Sequence, residues 1–333
     1  METIRWGFLA TGKIAHSFAG DLADTPGAEL AAVGSRSLES AEAFAREHGV
    51  ARAHGSYEAL VHDPDVDIVY VATPHSMHLE HARMAFEAGK HVLCEKPVTL
   101  NVADTEELFA LARQHDRFCM EAMWTACHPV VLAVRDGLHA GQFGEPKQLH
   151  ADLGWRVDLP GTDRMLDPAL GGGALLDMGI YPLTLAQMML GTPDQLTATA
   201  TLADTGIDLD VAIAGRYGDA VAAITTSMTA WSPSTATIAT TTGRIELPTA
   251  FHHPPYATFV PHDGEPQTIA SDTEVVGRGY GNEALEVQRC LREGLVESPL
   301  VPHAQTLAVM RQMDDVRRQI GVTYAADRPP AGE

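Results

Sequence analysis

Apolar runs alternate with amphipathic segments through the first 122 residues, and this alternation constrains the fold more than any other feature of the chain. The clearest run is VDIVYVATP (residues 66–74), which is typical of a parallel strand buried on both faces of a sheet. The segments between the runs have the spacing of amphipathic helices, as in LESAEAFAREHG (38–49), which Gly49 closes. The pattern therefore predicts an α/β fold with a doubly wound parallel sheet over residues 1–122.

The rhythm changes after Trp124. Two helix patterns come first, and the chain up to about Pro261 is then rich in Thr, Val, Ala and Ile with frequent turn signals. Those features indicate antiparallel strands, and two further helix patterns close the chain. We therefore predict a dinucleotide-type domain over residues 1–122 and an α+β domain over residues 123–333.

Composition excludes several partners. The chain has 333 residues and a net charge of −21, and an acidic surface repels nucleic acid and anionic membranes. Its four cysteines include no C-x-x-C pair, which is typical of a reducing cytosol. We find neither a signal-peptide pattern nor an uninterrupted apolar stretch of about 18 residues. We therefore expect a cytoplasmic protein that binds neither nucleic acid nor membrane.

The segment GFLATGKIA (7–15) lies where the first strand passes into the first helix. Aligned with the dinucleotide fingerprint G-x-G-x-x-G/A, it offers Ala10, Gly12 and Ala15, so that the first glycine is replaced. Its position is the stronger signal, because open backbone N–H groups at a helix start bind a pyrophosphate. The alternative is a plain strand–helix turn. The predicted cofactor contacts in this segment are Gly7, Ala10, Thr11, Gly12, Lys13 and Ile14.

The second predicted strand ends in GSRSLES, with Ser35, Arg36 and Ser37 where NAD-preferring sites carry an acidic residue for the ribose 2′-hydroxyl. No acidic residue precedes Glu39 here. A guanidinium and two hydroxyls suit a 2′-phosphate, so NADP is favoured over NAD. The alternative is a surface arginine near a helix start.

The segment VATPHSMH (71–78) ends the most apolar strand, at the sheet edge where ligands bind in such folds. We predict that Thr73, Pro74, His75 and His78 line the cofactor. His75, His78 and His81 lie three residues apart, which raises the possibility of a metal. Histidines at the start of a helix more often form a solvated or cofactor-flanking face, so no metal is predicted.

Two further motifs carry candidate catalytic residues. In KHVLCEKPV (90–98), Pro97 pushes Lys96 toward an extended conformation where the chain leaves a strand. In GGGALLDMGIY (171–181), Asp177 and Tyr181 lie four residues apart and would share one helix face. A tyrosine with the usual pKa near 10 is a poor base, but a nearby ammonium group favours the phenolate, and Lys96 could supply that charge. The alternatives are a packing tyrosine and a solvated loop lysine.

Together, the N-terminal fingerprint, CEKP, EAMW (121–124) and DMGIY (177–181) resemble the Gfo/Idh/MocA oxidoreductases. Within that family the chain is most similar to the NADP-dependent aldose dehydrogenases and the dimeric dihydrodiol dehydrogenases. The resemblance implies a Rossmann domain and a second domain built on a large, open, mostly antiparallel sheet that often mediates dimerisation. It also implies a Lys96–Pro97 peptide that is cis.

The same resemblance implies roles for site residues. Lys96 would be the catalytic lysine and Tyr181 the group that exchanges the substrate proton, with Asp177 positioning the substrate or Tyr181. It extends the predicted cofactor contacts to Glu95, Lys96 and Trp124. The predicted substrate residues are Trp124, Arg156, Arg164, Asp177 and Tyr181.

The reaction implied is hydride transfer between NADP and an alcohol or carbonyl of a sugar, polyol or dihydrodiol, with the substrate and the direction left open. We expect a homodimer or a higher homo-oligomer, because the segment 197–242 offers few charges on its strands. Two alternatives remain at this stage. One is an NADP-binding sensor without turnover, and the other is a sugar oxidoreductase that holds NADP permanently.

Overall fold

The first 122 residues form the predicted succession of strands and helices in the computed structural model, which describes residues 3–158 and 164–327. The elements are β1 (Ile4–Leu9), α1 (Lys13–Ala23), β2 (Ala28–Gly34), α2 (Leu38–His48), β3 (Arg52–His54), α3 (Tyr57–Val61), β4 (Ile68–Val71), α4 (His78–Glu87), β5 (His91–Glu95), α5 (Val102–Gln114) and β6 (Cys119–Ala122). The strands pair in parallel in the order β3-β2-β1-β4-β5-β6. This order reverses beside β1 and confirms the predicted doubly wound sheet.

The sheet is stable because its strands are apolar on both faces. All four residues of β4 are buried, as are the last four of β1. Phe18 of α1 stacks on Tyr70 of β4 with ring centroids 4.3 Å apart, and Phe8 of β1 packs against both rings. This aromatic cluster fixes α1 against the sheet, so the turn between β1 and α1 has a defined position.

The rest of the described chain forms the second sheet and four more helices. These elements are α6 (Pro129–His139), β7 (Pro146–Gly154), α7 (Ile180–Leu190), β8 (Gln195–Leu202), β9 (Asp208–Tyr217), β10 (Ala220–Ser227), β11 (Ala236–Thr240), β12 (Gly243–Leu247), β13 (Ala257–Pro261), β14 (Gln267–Ile269), α8 (Tyr280–Arg292) and α9 (His303–Ile320). The sheet order is β14-β13-β12-β11-β7-β10-β9-β8. Only the β7–β10 pairing is parallel among its described strands, which confirms a large, mostly antiparallel sheet.

The helix predicted after the glycine-rich turn differs from a regular α-helix. Residues Leu175–Gly179 form a π-helical segment, and α7 begins directly after it. Asp177 and Tyr181 therefore do not lie one α-helical turn apart, which corrects the shared face expected from their spacing. All five residues of the π-helical segment are buried, so it packs on every side.

The chain divides into two compact units whose limits differ from the predicted boundary between residues 122 and 123. Unit 1 comprises Met1–Thr99, Ala103–Cys127 and Val275–Thr306, and unit 2 comprises Leu100–Val102, His128–Glu274 and Leu307–Glu333. The chain returns to unit 1 because α8 packs against α1. There, the buried carboxylate of Asp21 accepts the backbone N–H groups of Arg278 (2.7 Å) and Tyr280 (3.0 Å).

One stretch of unit 2 is long and apolar enough to cross a membrane. It spans Pro168–Leu190, and an 18-residue window within it has a mean hydropathy of 1.2. Since 89% of that window is buried inside the protein, its apolar character is that of a core helix.

Candidate active site

The turn between β1 and α1 has the geometry that a dinucleotide site needs. Ala10 adopts φ 102°, a left-handed conformation that favours glycine, and its N–H donates to the carbonyl of Gly34 (3.0 Å). Gly12 is the N-cap of α1 and brings no side-chain cap, and the space beside its Cα is open. The first N–H groups of α1 have no acceptor within the helix, so they are available to a phosphate. These features fit the pyrophosphate of a dinucleotide.

The other cofactor contacts predicted in this segment lie either at the turn or inside β1. Thr11 and Ile14 are partly exposed at this turn, and Lys13 is exposed. Gly7, in contrast, is buried inside β1, where an added Cβ would come within 2.8 Å of the Val66 side chain. Gly7 is therefore a packing glycine, and its prediction as a cofactor contact is corrected.

At the end of β2, Arg36 is exposed while Ser35 is buried. The hydroxyl of Ser37 caps α2 by accepting the N–H of Ser40 (3.3 Å). Burial raises the pKa of the Tyr57 phenol, and the positive charge of Arg36 opposes that rise. Sequence reasoning missed Tyr57, because the segment around α3 has the weakest helix pattern of the first 122 residues.

Tyr57 also connects this region to the end of β4. The Tyr57 ring lies 4.9 Å from the ring of His81, and His81 Nδ1 is 2.9 Å from Thr73 Oγ1. Burial lowers the pKa of His81. Tyr57, His81 and Thr73 thus form one chain of contacts along the edge of the sheet where ligands bind.

His78 has a structural role, because it contacts the backbone of two loops. It is fully buried, and its Nδ1 and Nε2 lie 2.9 and 2.8 Å from the carbonyl oxygens of Pro97 and Thr73. Both nitrogens therefore lie within hydrogen-bond distance of a backbone carbonyl, one on each loop. His78 therefore ties the loop after β5 to the loop after β4, which differs from the predicted cofactor contact. His75 is also buried, with its ring 5.7 Å from that of His78, and Pro74 is partly exposed.

Lys96 follows β5 directly and is half-buried, and the Lys96–Pro97 peptide is cis, as the resemblance implied. The side chain of Glu95 points into unit 1. Its Oε1 accepts the Tyr70 hydroxyl (2.5 Å), and its Oε2 accepts the N–H of Lys96 (3.2 Å). The carboxylate of Glu95 therefore supports the loop that carries Lys96, which differs from the predicted cofactor contact.

Two more buried carboxyl groups lie in unit 1. Glu121 accepts the N–H of Val98 (3.1 Å) and the hydroxyl of Thr306 (3.0 Å), and burial raises its pKa to about 7. Glu283 is fully buried, and neither of its oxygens has a hydrogen-bond partner among the described residues. Burial, with the charges of Glu95 and Glu121, raises the pKa of Glu283 well above its ordinary value. Sequence reasoning missed both, since a lone glutamate gives no sign of burial.

Trp124 is predicted to line both cofactor and substrate. It is 4% exposed and stacks on Tyr280, with ring centroids 4.1 Å apart and planes 11° from parallel. Tyr280 begins α8, so the position of this indole depends on the returning segment of unit 1.

In unit 2, the structure brings two predicted substrate residues together. Arg164 donates Nη1 and Nη2 to the two carboxylate oxygens of Asp177, at 2.9 and 3.0 Å. The side chain of Asp177 is 4% exposed, whereas that of Arg164 is 42% exposed. The buried carboxylate thus fixes a guanidinium that still reaches solvent, a geometry suited to binding an oxygen-rich ligand. Arg156 is exposed just beyond β7.

Tyr181 lies in the first turn of α7 and is 7% exposed. Its ring is 4.9 Å from that of His252, which stacks on His253 at 4.4 Å. Burial, with a contribution from His253, lowers the pKa of His128 in the same unit to about 4, so this imidazole is neutral. Sequence reasoning missed these histidines, although the motif FHHPP (251–255) was a signal that could have been followed.

Profiles of known protein families match both parts of the chain. The Gfo/Idh/MocA profile described as an oxidoreductase family with an NAD-binding Rossmann fold matches residues 4–123. The profile described as the Gfo/Idh/MocA C-terminal domain matches residues 131–246.

Individual proteins match over nearly the whole chain. A trans-1,2-dihydrobenzene-1,2-diol dehydrogenase from Danio rerio is 36% identical, with 97% of this chain and 99% of the relative covered. Its counterpart from Homo sapiens is 34% identical over 98% and 99%. A crystal structure of a 3-ketoreductase from Actinomadura kijaniata with NADP and TDP-benzene is 27% identical, covers 97% of this chain and 99% of its own, and superposes with a TM-score of 0.85.

Proposed function

Because the chain belongs to the Gfo/Idh/MocA oxidoreductase family, we propose that it is an NADP-dependent enzyme that interconverts an alcohol and a carbonyl on a dihydrodiol, sugar or polyol. The family makes it an oxidoreductase with an NAD(P)-binding Rossmann domain. The observation that carries the substrate class is similarity along almost the whole chain to enzymes named dihydrodiol dehydrogenases.

We propose that unit 1 holds the cofactor and that NADP is preferred over NAD. The open N-terminus of α1 suits the pyrophosphate, and Arg36, exposed at the end of β2, offers a guanidinium to a 2′-phosphate. Trp124 and the backbone around Thr73 and Pro74 complete the proposed contacts. When bound, the nicotinamide supplies or accepts the hydride.

The chain's own residues supply proton transfer and charge in this proposal. Tyr181 exchanges the proton of the substrate hydroxyl, and Lys96 stabilises negative charge on the substrate oxygen. Arg164, oriented by the buried Asp177, binds a further substrate oxygen. Among similar proteins, the Actinomadura 3-ketoreductase has been solved with one lysine replaced by alanine and with one tyrosine replaced by phenylalanine.

We further propose that unit 2 binds the substrate and forms a homodimer in the cytoplasm through the outer face of its sheet. The exposed positions of β9 and β10 on that face include Ala212, Ala214 and Ala223. With neighbouring threonines they line a concavity of about 570 Å³. A surface so poor in charge is typical of an interface between copies of a chain.

The test is an assay of trans-dihydrodiols, aldoses, inositols and dicarbonyls with NADP and with NAD, on the wild type and two variants. Tyr181→Phe keeps the ring but deletes the exchangeable proton, so turnover should fall by about 10²–10⁴-fold. Lys96→Met should lower turnover by roughly 10²-fold or more while NADP still binds.

Matched controls are Tyr256→Phe, at an exposed position, and Lys147→Met, at a partly exposed one; both lie in unit 2 and should leave turnover near that of the wild type. Turnover within about threefold of the wild type in Tyr181→Phe would assign Tyr181 to packing. Binding of NADP without turnover of any substrate class would instead favour a sensor. NADP that survives dialysis would indicate a permanently held cofactor.

A further inference from the structure

Three side chains of metal-binding type converge on the surface of unit 1, and none of them has a role in the function proposed above. His16 lies on α1, and Glu47 and His48 lie in the last turn of α2. His16 Nδ1 and His48 Nε2 are 2.8 Å apart. Glu47 Oε1 lies 3.3 Å from the first of these nitrogens and 3.7 Å from the second.

These separations suit a metal ion of small radius. Ligand atoms about 2.05 Å from a tetrahedral Zn²⁺ are separated by about 3.3–3.4 Å, close to the average of the three distances here. A point about 2.05 Å from all three atoms lies about 0.7 Å out of their plane, which is the height tetrahedral coordination requires. The two imidazoles would have to separate by about 0.5 Å, a small side-chain rotation.

The surroundings hold these rings together and leave them accessible. The ring of Phe44 lies 4.6 Å from that of His16 and 4.4 Å from that of His48, so both imidazoles pack on one fixed aromatic surface. The side chain of His48 is 15% exposed, that of His16 36% and that of Glu47 62%. An ion could therefore enter from solvent and keep a water as its fourth ligand.

We propose that His16, Glu47 and His48 bind one divalent transition-metal ion per chain, with Zn²⁺ as the best-fitting ion. Two imidazoles and one carboxylate are ligands that Zn²⁺ shares with Cu²⁺ and Ni²⁺, whereas Mg²⁺ and Ca²⁺ prefer oxygen ligands throughout. The ion would join α1, which begins at the dinucleotide turn, to the C-terminal end of α2. Its role is to brace unit 1. This differs from the prediction of no metal, for which only His75, His78 and His81 were considered.

The experiment is a titration of the metal-free full-length protein with Zn²⁺ by calorimetry and with Co²⁺ by visible absorption. The variants are His16→Ala and Glu47→Gln, and the control is His62→Ala, which removes an exposed histidine of the same unit. Thermal unfolding without metal checks that each variant folds.

The wild type and the His62→Ala control should bind one Zn²⁺ and give the intense visible bands of four-coordinate Co²⁺. Loss of one ligand should weaken Zn²⁺ binding by at least about 100-fold in His16→Ala and at least about 10-fold in Glu47→Gln. Saturating Zn²⁺ should raise the Tm of the wild type and the control but not that of His16→Ala. Equal affinity in the wild type and His16→Ala, or six-coordinate Co²⁺ spectra in the wild type, would overturn the site.

Discussion

Individual side chains of unit 1 differ in chemistry according to what surrounds them. Arg36 is exposed, whereas Glu121 is buried between the N–H of Val98 and the hydroxyl of Thr306. Exposure leaves the charge of Arg36 in solvent, where a phosphate can reach it. Burial makes the carboxyl group of Glu121 retain its proton up to about pH 7.

Replacing Arg36 with alanine should erode the preference for NADP. A charge-assisted hydrogen bond to the 2′-phosphate contributes about 1.5–3 kcal/mol, so the ratio of kcat/KM with NADP to that with NAD should fall by about 10–100-fold. Steady-state kinetics with both cofactors measures this ratio. The control Arg46→Ala removes an exposed arginine of α2 and should leave it unchanged. A wild type that prefers NAD would contradict the proposed role.

Replacing Glu121 with glutamine should change how stability depends on pH. The folded-state pKa of about 7 lies above the ordinary 4.5, so between these pH values the folded protein holds a proton that the unfolded chain has lost. This group therefore makes the wild type less stable as the pH rises from about 4.5 to about 7, by up to about 3 kcal/mol. Glutamine can accept from Val98 and donate to Thr306, so it keeps both hydrogen bonds without a charge.

The measurement is urea unfolding of Glu121→Gln and the wild type from pH 5 to pH 8. The variant should be the more stable protein at pH 8 by about 2–3 kcal/mol, and the difference should shrink toward pH 5. Asp208, whose pKa burial raises to about 6, titrates in both proteins and cancels from the comparison. If the free energies of unfolding of the two proteins differ by the same amount at every pH in this range, Glu121 is ionised in the folded protein.

At the level of helices and strands, the sequence predicted those features that neighbouring residues determine, such as where a helix starts and ends. The signals for α2 illustrate this, since Ser37 caps its start and Gly49 ends it in a left-handed conformation with φ 69°. Contacts between distant segments were not predictable in the same way. The π-helical turn at Asp177, its ion pair with Arg164 and the burial of Glu283 depend on residues that are far apart in the chain or on packing from all sides.

The turn from β1 to α1 offers a test of backbone strain. Ala10 holds φ 102°, which costs an L-residue roughly 1–2 kcal/mol, so Ala10→Gly should raise the free energy of unfolding by about 1 kcal/mol. The same substitution at Ala43, an exposed position inside α2, should lower it by about 1 kcal/mol. Urea denaturation of both variants measures the sign of each change in the free energy of unfolding. Destabilisation of similar size in both would mean that Ala10 is not strained.

For the molecule as a whole, composition and topology support different conclusions. A net charge of −21 keeps separate copies apart at long range, whereas the outer face of the second sheet is poor in charge.

The two-unit division was predicted, but the return of residues 275–306 to unit 1 was not. A helix pattern shows which face is apolar and does not show which of two units will cover it.

A homodimer through that outer face should be visible by light scattering at micromolar concentration. Ala214→Glu places a charge on an exposed position of β9 inside the concavity, so it should shift the protein to monomers because an unpaired charge is costly at an interface. Thr273→Glu adds the same charge at an exposed loop position and should leave the dimer intact. A monomeric wild type would remove the proposal.

The return of α8 to unit 1 also sets the order in which a newly made chain can fold. Residues 1–127 leave the ribosome well before residues 275–306, and the interval corresponds to roughly 10–40 s of synthesis. During that time the Asp21 carboxylate lacks both backbone donors, and the indole of Trp124 lacks the ring on which it stacks. A chain that stops between residue 127 and α8 therefore yields no finished dinucleotide-binding unit, even though every strand of its sheet has been made.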